Sequence, residues 1–202
     1  MFPDRRAVVY GQRSYSWKEF YKRCTKLASA LNNIGIGRGD TVAVLAANTP
    51  EMVEAHFGIP MSGAVLNTVN ARLDDETLAY ILGHGEAKVF IVDYELAPQV
   101  KNALKIHGDN DLFVIDILDL QNTDNPATIG ATDYEAVLAT GTDKFQWDMP
   151  TNEWDAIGLS YTSGTSGRPK GVVYHHRGSY LMSMGTITDW DLPRHPNYLY
   201  TV

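Results

Sequence analysis

A single cysteine, Cys24, stands in the 202 residues, so no disulfide can form within the chain. It sits in a helical pattern, where a buried structural thiol is the expected role. Long apolar runs are missing as well. None approaches the roughly 18–20 residues that cross a bilayer as a helix. The opening residues show no basic-then-apolar signal pattern, and the expectation is a cytoplasmic protein. Positive charge is scarce too: 17 Lys and Arg against 24 Asp and Glu give a net charge of −7, which argues against a general nucleic-acid binder. The most telling deficit is local. No Asp or Glu occurs from 156 to 188, whereas Arg168, Lys170 and Arg177 all fall inside that window. Nearby carboxylates would repel an anionic ligand, so an acid-free stretch in an acidic chain suits an anion pocket.

Inside that window lies Tyr161-Thr162-Ser163-Gly164-Thr165-Ser166-Gly167-Arg168-Pro169-Lys170-Gly171. Its glycines let backbone N–H groups approach a ligand closely, and successive N–H groups in such turns form a concavity for anions. Thr162, Ser163, Thr165 and Ser166 add hydroxyls for phosphate oxygens or a metal, and Lys170 adds a mobile cation. This composition suits the holding of a polyphosphate. A flexible Gly/Ser linker is the plainer alternative, but the apolar runs on both sides read as strands feeding an ordered loop.

The run is not a Walker A loop, since Gly164 and Gly167 stand too close and Lys170 does not follow a glycine. Nor does it contain a dinucleotide fingerprint. Gly35-Ile36-Gly37-Arg38-Gly39 comes nearer, yet it precedes a strand and reads as a helix end and turn. The run does resemble, residue by residue, the phosphate-binding signature of the adenylate-forming superfamily, which includes acyl-CoA synthetases, firefly luciferase and peptide-synthetase adenylation domains. The departure is Ser166 for a commoner Thr, which keeps the hydroxyl. Arg13-Ser14-Tyr15-Ser16-Trp17, Gly37-Arg38-Gly39-Asp40-Thr41-Val42-Ala43, Asn48-Thr49-Pro50-Glu51 and Gly63-Ala64-Val65-Leu66-Asn67 extend the likeness to the N-terminal portion of such synthetases. The stretch from Trp154 to Gly178 is most similar to the bacterial short- and medium-chain acyl-CoA ligases, the 3-methylmercaptopropionate-CoA ligases among them.

Elements alternate along the chain. Strands at 7–10 and 13–15 flank Gly11-Gln12 as a hairpin. Ser16 and Glu19 form a capping box for a helix to about Asn33, ended by Gly35. A continuous apolar strand follows at 41–46, then a helix capped by Thr49 with Pro50 at its first position. A strand at 64–69, a helix from Asp74 to His84, a strand at 88–93, a helix near 95–107 and a strand at 112–116 continue the pattern. Residues 121–132 read as a surface connection, 133–140 as a short helix and 141–153 as a further loop. The fold class is therefore α/β, a layered, mostly parallel sheet covered on both faces. By the resemblance it is part of the large N-terminal domain of an adenylate-forming enzyme: residues 1–202 would be a partial adenylation domain, without the C-terminal domain. The β-prone run 198–202 reads as a strand cut in mid-course, whose edge would favour association between chains.

The resemblance implies ATP-dependent activation of a fatty or other short- to medium-chain carboxylic acid to an acyl-adenylate, then thioester formation with CoA. The implied cofactors are ATP, Mg²⁺ and CoA as co-substrate; the partners are these and the carboxylate, and a homodimer is left open. On the motif match, Thr162 is the Mg²⁺ and phosphate ligand. Ser163, Gly164, Thr165, Ser166 and Gly167 wrap the β- and γ-phosphates, and Lys170 is the catalytic cation that neutralises pyrophosphate. Pro169 stiffens the loop exit, while Arg168 occupies a variable position and is expected to face solvent. The family's adenine, ribose and acyl determinants lie C-terminal to its signature, so this stretch alone is expected to be inactive. His175 and His176 lack the spacing of a helical zinc pair and are expected to be structural; His56 and His84 are assigned no chemistry. Asp74-Asp75-Glu76 read as acids at a helix start. Two alternatives stand beside the ligase. One is an amidase-type hydrolase built on Ser163, Ser166 and Lys170; the other is a non-catalytic binding module.

Overall fold

The computed structural model describes residues 2–108, 111–119, 126–162 and 167–200. Its first feature is the hairpin of β1 (Arg6–Tyr10) and β2 (Arg13–Ser16), paired antiparallel with Gly11 at φ 54° in the turn. The left-handed conformation there suits glycine. Ser16 then caps α1 (Trp17–Asn33) through the expected capping box: its hydroxyl accepts from the Glu19 N–H, and the Glu19 carboxylate accepts from the Ser16 N–H. Thr49 caps α2 (Pro50–Met61), and Asp74 caps α3 (Asp75–His84) by accepting from the N–H and hydroxyl of Thr77. The acids at 74–76 are thus a helix start, as read from the sequence.

Between these helices run β3 (Thr41–Leu45), β4 (Val65–Thr68) and β5 (Ala87–Asp93). A 3₁₀ turn at Tyr94–Leu96 leads into α4 (Ala97–His107), so the helix expected near 95–107 divides where Pro98 takes an early helical position. The chain continues with β6 (Phe113–Ile117), the two-residue β7 (Thr132–Asp133), α5 (Tyr134–Thr140), β8 (Ala156–Thr162), β9 (Lys170–His175) and α6 (His176–Asp189). The sheet order is β7-β6-β5-β3-β4-β8-β9, and every neighbouring pair is parallel except β8 with β9. The mostly parallel sheet is present as expected. The connection between β6 and β7 lies partly outside the described residues; where it is described, the Asp116 carboxylate accepts from the Ile129 and Gly130 N–H groups.

Both faces of the sheet are covered, which explains why β3 reads as an unbroken apolar run. Val42 and Val44 enter one core with Leu27, Ile59 and Tyr134; Ala43 and Leu45 enter the other with Leu82 and Val100. Side chains alternate across a strand, so two buried faces require every position to be apolar. Helices α1, α2 and α5 cover the first face, α3 and α4 the second. Helices α1 and α2 approach closely at Gly58, where a Cβ would lie 2.7 Å from Leu27 Cδ2 and 2.9 Å from the Cys24 carbonyl oxygen. Gly58→Ala is expected to lower the unfolding free energy by about 1–3 kcal/mol, the usual cost of overpacking. Urea denaturation checks this, and an unchanged midpoint would show that the helices separate freely.

One expectation fails. Residues 198–200 form no strand: Tyr198 and Leu199 are 68% and 82% exposed, and the Tyr200 carbonyl accepts from the Asn48 amide at 3.4 Å. β propensity in Tyr and Leu reflects packing on a neighbouring strand, and among the described residues this segment has none to pair with. Residues 201 and 202 lie outside the described set.

Candidate phosphate-binding site

Strands β8 and β9 carry the two ends of the signature. Their register sets Thr162 opposite Lys170, Tyr161 opposite Gly171 and Ser160 opposite Val172. The two groups furthest apart in chemistry, a hydroxyl and an ammonium, are thereby cross-strand neighbours on one face of the sheet. Both residues are exposed. Among the described residues neither Lys170 nor Arg168 has a carboxylate within ion-pairing distance. The lysine charge is therefore available to an incoming anion, in keeping with the acid-free stretch of sequence.

Parallel pairing of β8 with β4, β4 with β3 and β3 with β5 brings Thr162, Thr68, Leu45 and Asp93 to one edge of the sheet. Ligands of open α/β sheets bind beyond such carboxyl ends, and the signature emerges there. Gly167 has φ 119° with nothing within 4 Å of a notional Cβ, so its backbone conformation, not crowding, calls for glycine. Ser163, Gly164, Thr165 and Ser166 lie outside the described residues, so their expected contacts are not among the observations, and neither is the serine pair of the hydrolase alternative.

The remaining polar candidates resolve into structure. His175 is the N-cap of α6: its Nδ1 accepts from the Gly178 N–H at 2.8 Å, and its ring lies 4.7 Å from Trp154. Burial pulls His176 below its ordinary pKa, against the charge of Asp155. His56 Nδ1 bonds the Met52 carbonyl oxygen one turn earlier. Cys24 is buried, and burial pushes its thiol well up. No group of three or more His, Cys, Asp or Glu that could hold a metal occurs among the described residues.

Known proteins place the chain in a family. Residues 1–202 match the family model of AMP-binding enzymes. The chain belongs to that family. It is 43% identical to an acetate–CoA ligase of Humulus lupulus and 42% identical to a peroxisomal acetate/butyrate–CoA ligase of Arabidopsis thaliana, in each case over 99% of its own length and 37% of the relative's. A 2-methylpropanoate–CoA ligase of Humulus lupulus is 38% identical over all of the chain and 37% of the relative. The chain thus spans little more than a third of the length of these relatives. Its fold is shared by an anthranilate CoA ligase solved with anthranoyl-AMP (TM-score 0.80, 23% identity, 91% of this chain and 34% of that one). A benzoate CoA ligase from Burkholderia xenovorans shares it too (TM-score 0.75, 21% identity, 91% and 34%).

Proposed function

We propose that this AMP-binding chain supplies the polyphosphate-holding hairpin of an enzyme that joins a carboxylic acid to coenzyme A through an acyl-adenylate. The observation that carries this reading is the pairing of Thr162 with Lys170 across the mouth of the signature loop. Attack of a carboxylate on the α-phosphorus of ATP expels pyrophosphate, and the barrier comes from charge gathering on phosphoryl oxygens. Lys170 neutralises that charge from the rim, while the N–H groups and hydroxyls of Ser163 to Gly167 supply further donors. The Thr162 hydroxyl holds an oxygen position for Mg²⁺, which when bound would withdraw further charge from the phosphates. The thiol of CoA then displaces AMP to give the thioester. Likeness to the acetate, acetate/butyrate and 2-methylpropanoate ligases favours a short-chain acid as substrate, in line with the short- and medium-chain likeness in the sequence.

Lys170→Ala and Thr162→Ala in the complete protein are each expected to slow ATP–pyrophosphate exchange about a hundredfold, the effect of removing one transition-state donor. Their unfolding midpoints should stay put, because both side chains are exposed. Unchanged exchange in both variants would overturn the assignment.

A further inference from the structure

Helix α3 ends against the side of the signature hairpin turned away from Thr162 and Lys170. The adjacent residue Tyr161 points to the opposite face of the sheet, where its hydroxyl and His84 Nδ1 share a hydrogen bond of 2.8 Å. Tyr80, one turn earlier on the same helix face, lies 5.1 Å from the His84 ring. The Arg168 guanidinium lies 5.3 Å from the centroid of the Tyr80 ring, within the range of a cation–π contact. One helix end therefore touches both shoulders of the loop: Tyr161 before it and Arg168 after it. Two glycines permit this. At Gly85 a Cβ would meet the Ile81 carbonyl oxygen at 2.9 Å and Leu159 Cδ2 at 3.3 Å, so the chain leaves α3 pressed onto β8. At Gly171, opposite Tyr161, a Cβ would stand 3.2 Å from Leu159 Cδ1 and 3.6 Å from the Tyr161 ring. Burial, with Tyr80 beside it, pushes the Tyr161 phenol above its ordinary pKa, so it stays a neutral hydroxyl able to share this bond.

We propose that His84 is a positioning residue for polyphosphate binding: with Tyr80 it clamps Tyr161 and Arg168 and so fixes the two ends of the phosphate loop. The inference rests on the phosphate-loop reading above. His84 acts on the loop through Tyr161, and Tyr80 acts on it through Arg168. Groups that meet a polyphosphate must stand in one geometry, and a clamp on Tyr161 and Arg168 fixes their chain neighbours Thr162 and Lys170 before the ligand arrives.

The test titrates Mg·ATP calorimetrically into the complete protein and its variants, alongside ATP–pyrophosphate exchange and thermal melts. His84→Ala and Tyr161→Phe should each weaken ATP binding about fivefold, the size of one hydrogen bond, and raise the ATP KM equally, with the KM of the carboxylate and the melting temperature unmoved. The double variant should be no weaker than either single one, as for two partners of one contact. His84→Asn, whose amide can occupy the place of Nδ1, should return affinity to within about twofold of the parent. Unchanged ATP affinity in His84→Ala, multiplied effects in the double variant, or a loss that follows the melting temperature would each overturn the clamp. Lys170→Ala and Thr162→Ala separate the two readings: if they weaken exchange while His84→Ala does not, the clamp alone falls; if neither changes exchange, the phosphate loop falls and the clamp with it.

Discussion

Replacing Arg23 with leucine is expected to cost about 3–5 kcal/mol of stability at pH 8, the usual penalty for stranding one member of a buried ion pair. Arg23 lies on α1 and joins α2 to α5. Its Nε donates to Glu54 Oε1 at 2.6 Å, its Nη atoms donate to Glu135, and its guanidinium covers the Tyr15 ring at 5.2 Å. Glu54 is 0% exposed, and its other oxygen accepts from the Tyr134 hydroxyl at 3.0 Å. Leucine would leave that carboxylate with a single neutral donor in an apolar setting. Urea denaturation measures the loss. Arg23→Leu combined with Glu54→Gln should lose clearly less than the two single variants added together, because the stranded charge has gone. A loss below about 1 kcal/mol for Arg23→Leu would mean that water reaches Glu54 in the native state.

Much of the fold was legible because local signals agree with the tertiary arrangement. Ser16-x-x-Glu19, Thr49-Pro50 and Asp74 marked three helix starts by their capping chemistry, and all three caps are present. The continuous apolar run of β3 announced a strand buried on both faces. Failure came where propensity had no partner to act on, at 198–200. Less legible still were the long-range polar contacts. Arg13 with Glu51, Arg23 with Glu54, and Tyr10 with Asp119 are separated by 38, 31 and 109 residues. Single-chain periodicity carries no record of such pairings, since each partner reads locally as an ordinary surface polar or charged group.

The signature showed which residues could serve phosphate, but its geometry needed the register of β8 and β9. Nothing in the spacing of Thr162 and Lys170 says that they face each other across a hairpin. The partner of His84 is hidden in the sequence for a related reason. A histidine in the last turn of a helix has a sufficient local explanation in the helix dipole, and its partner Tyr161 lies 77 residues away.

Glu54 should also make stability fall as pH rises. Burial pushes its carboxyl up to about 7 in the folded protein, against Arg23 and Tyr134, which pull it down; its ordinary value is 4.5. Between those two values the native state holds a proton that the unfolded chain has released. Stability from this group is therefore complete below about pH 4.5 and is lost progressively as pH rises through 7, a change of about 3 kcal/mol by linkage. Other groups titrate as well, so the quantity to follow is the unfolding free energy of the parent minus that of Glu54→Gln, measured by urea denaturation from pH 4.5 to 8. The glutamine keeps the shape and cannot ionise, so the remaining groups largely cancel. The difference should decline across the range and level off near pH 8. A difference that stays flat, or that grows with pH, would place the carboxylate as ionised throughout and make the contact with Arg23 a full ion pair even in mild acid.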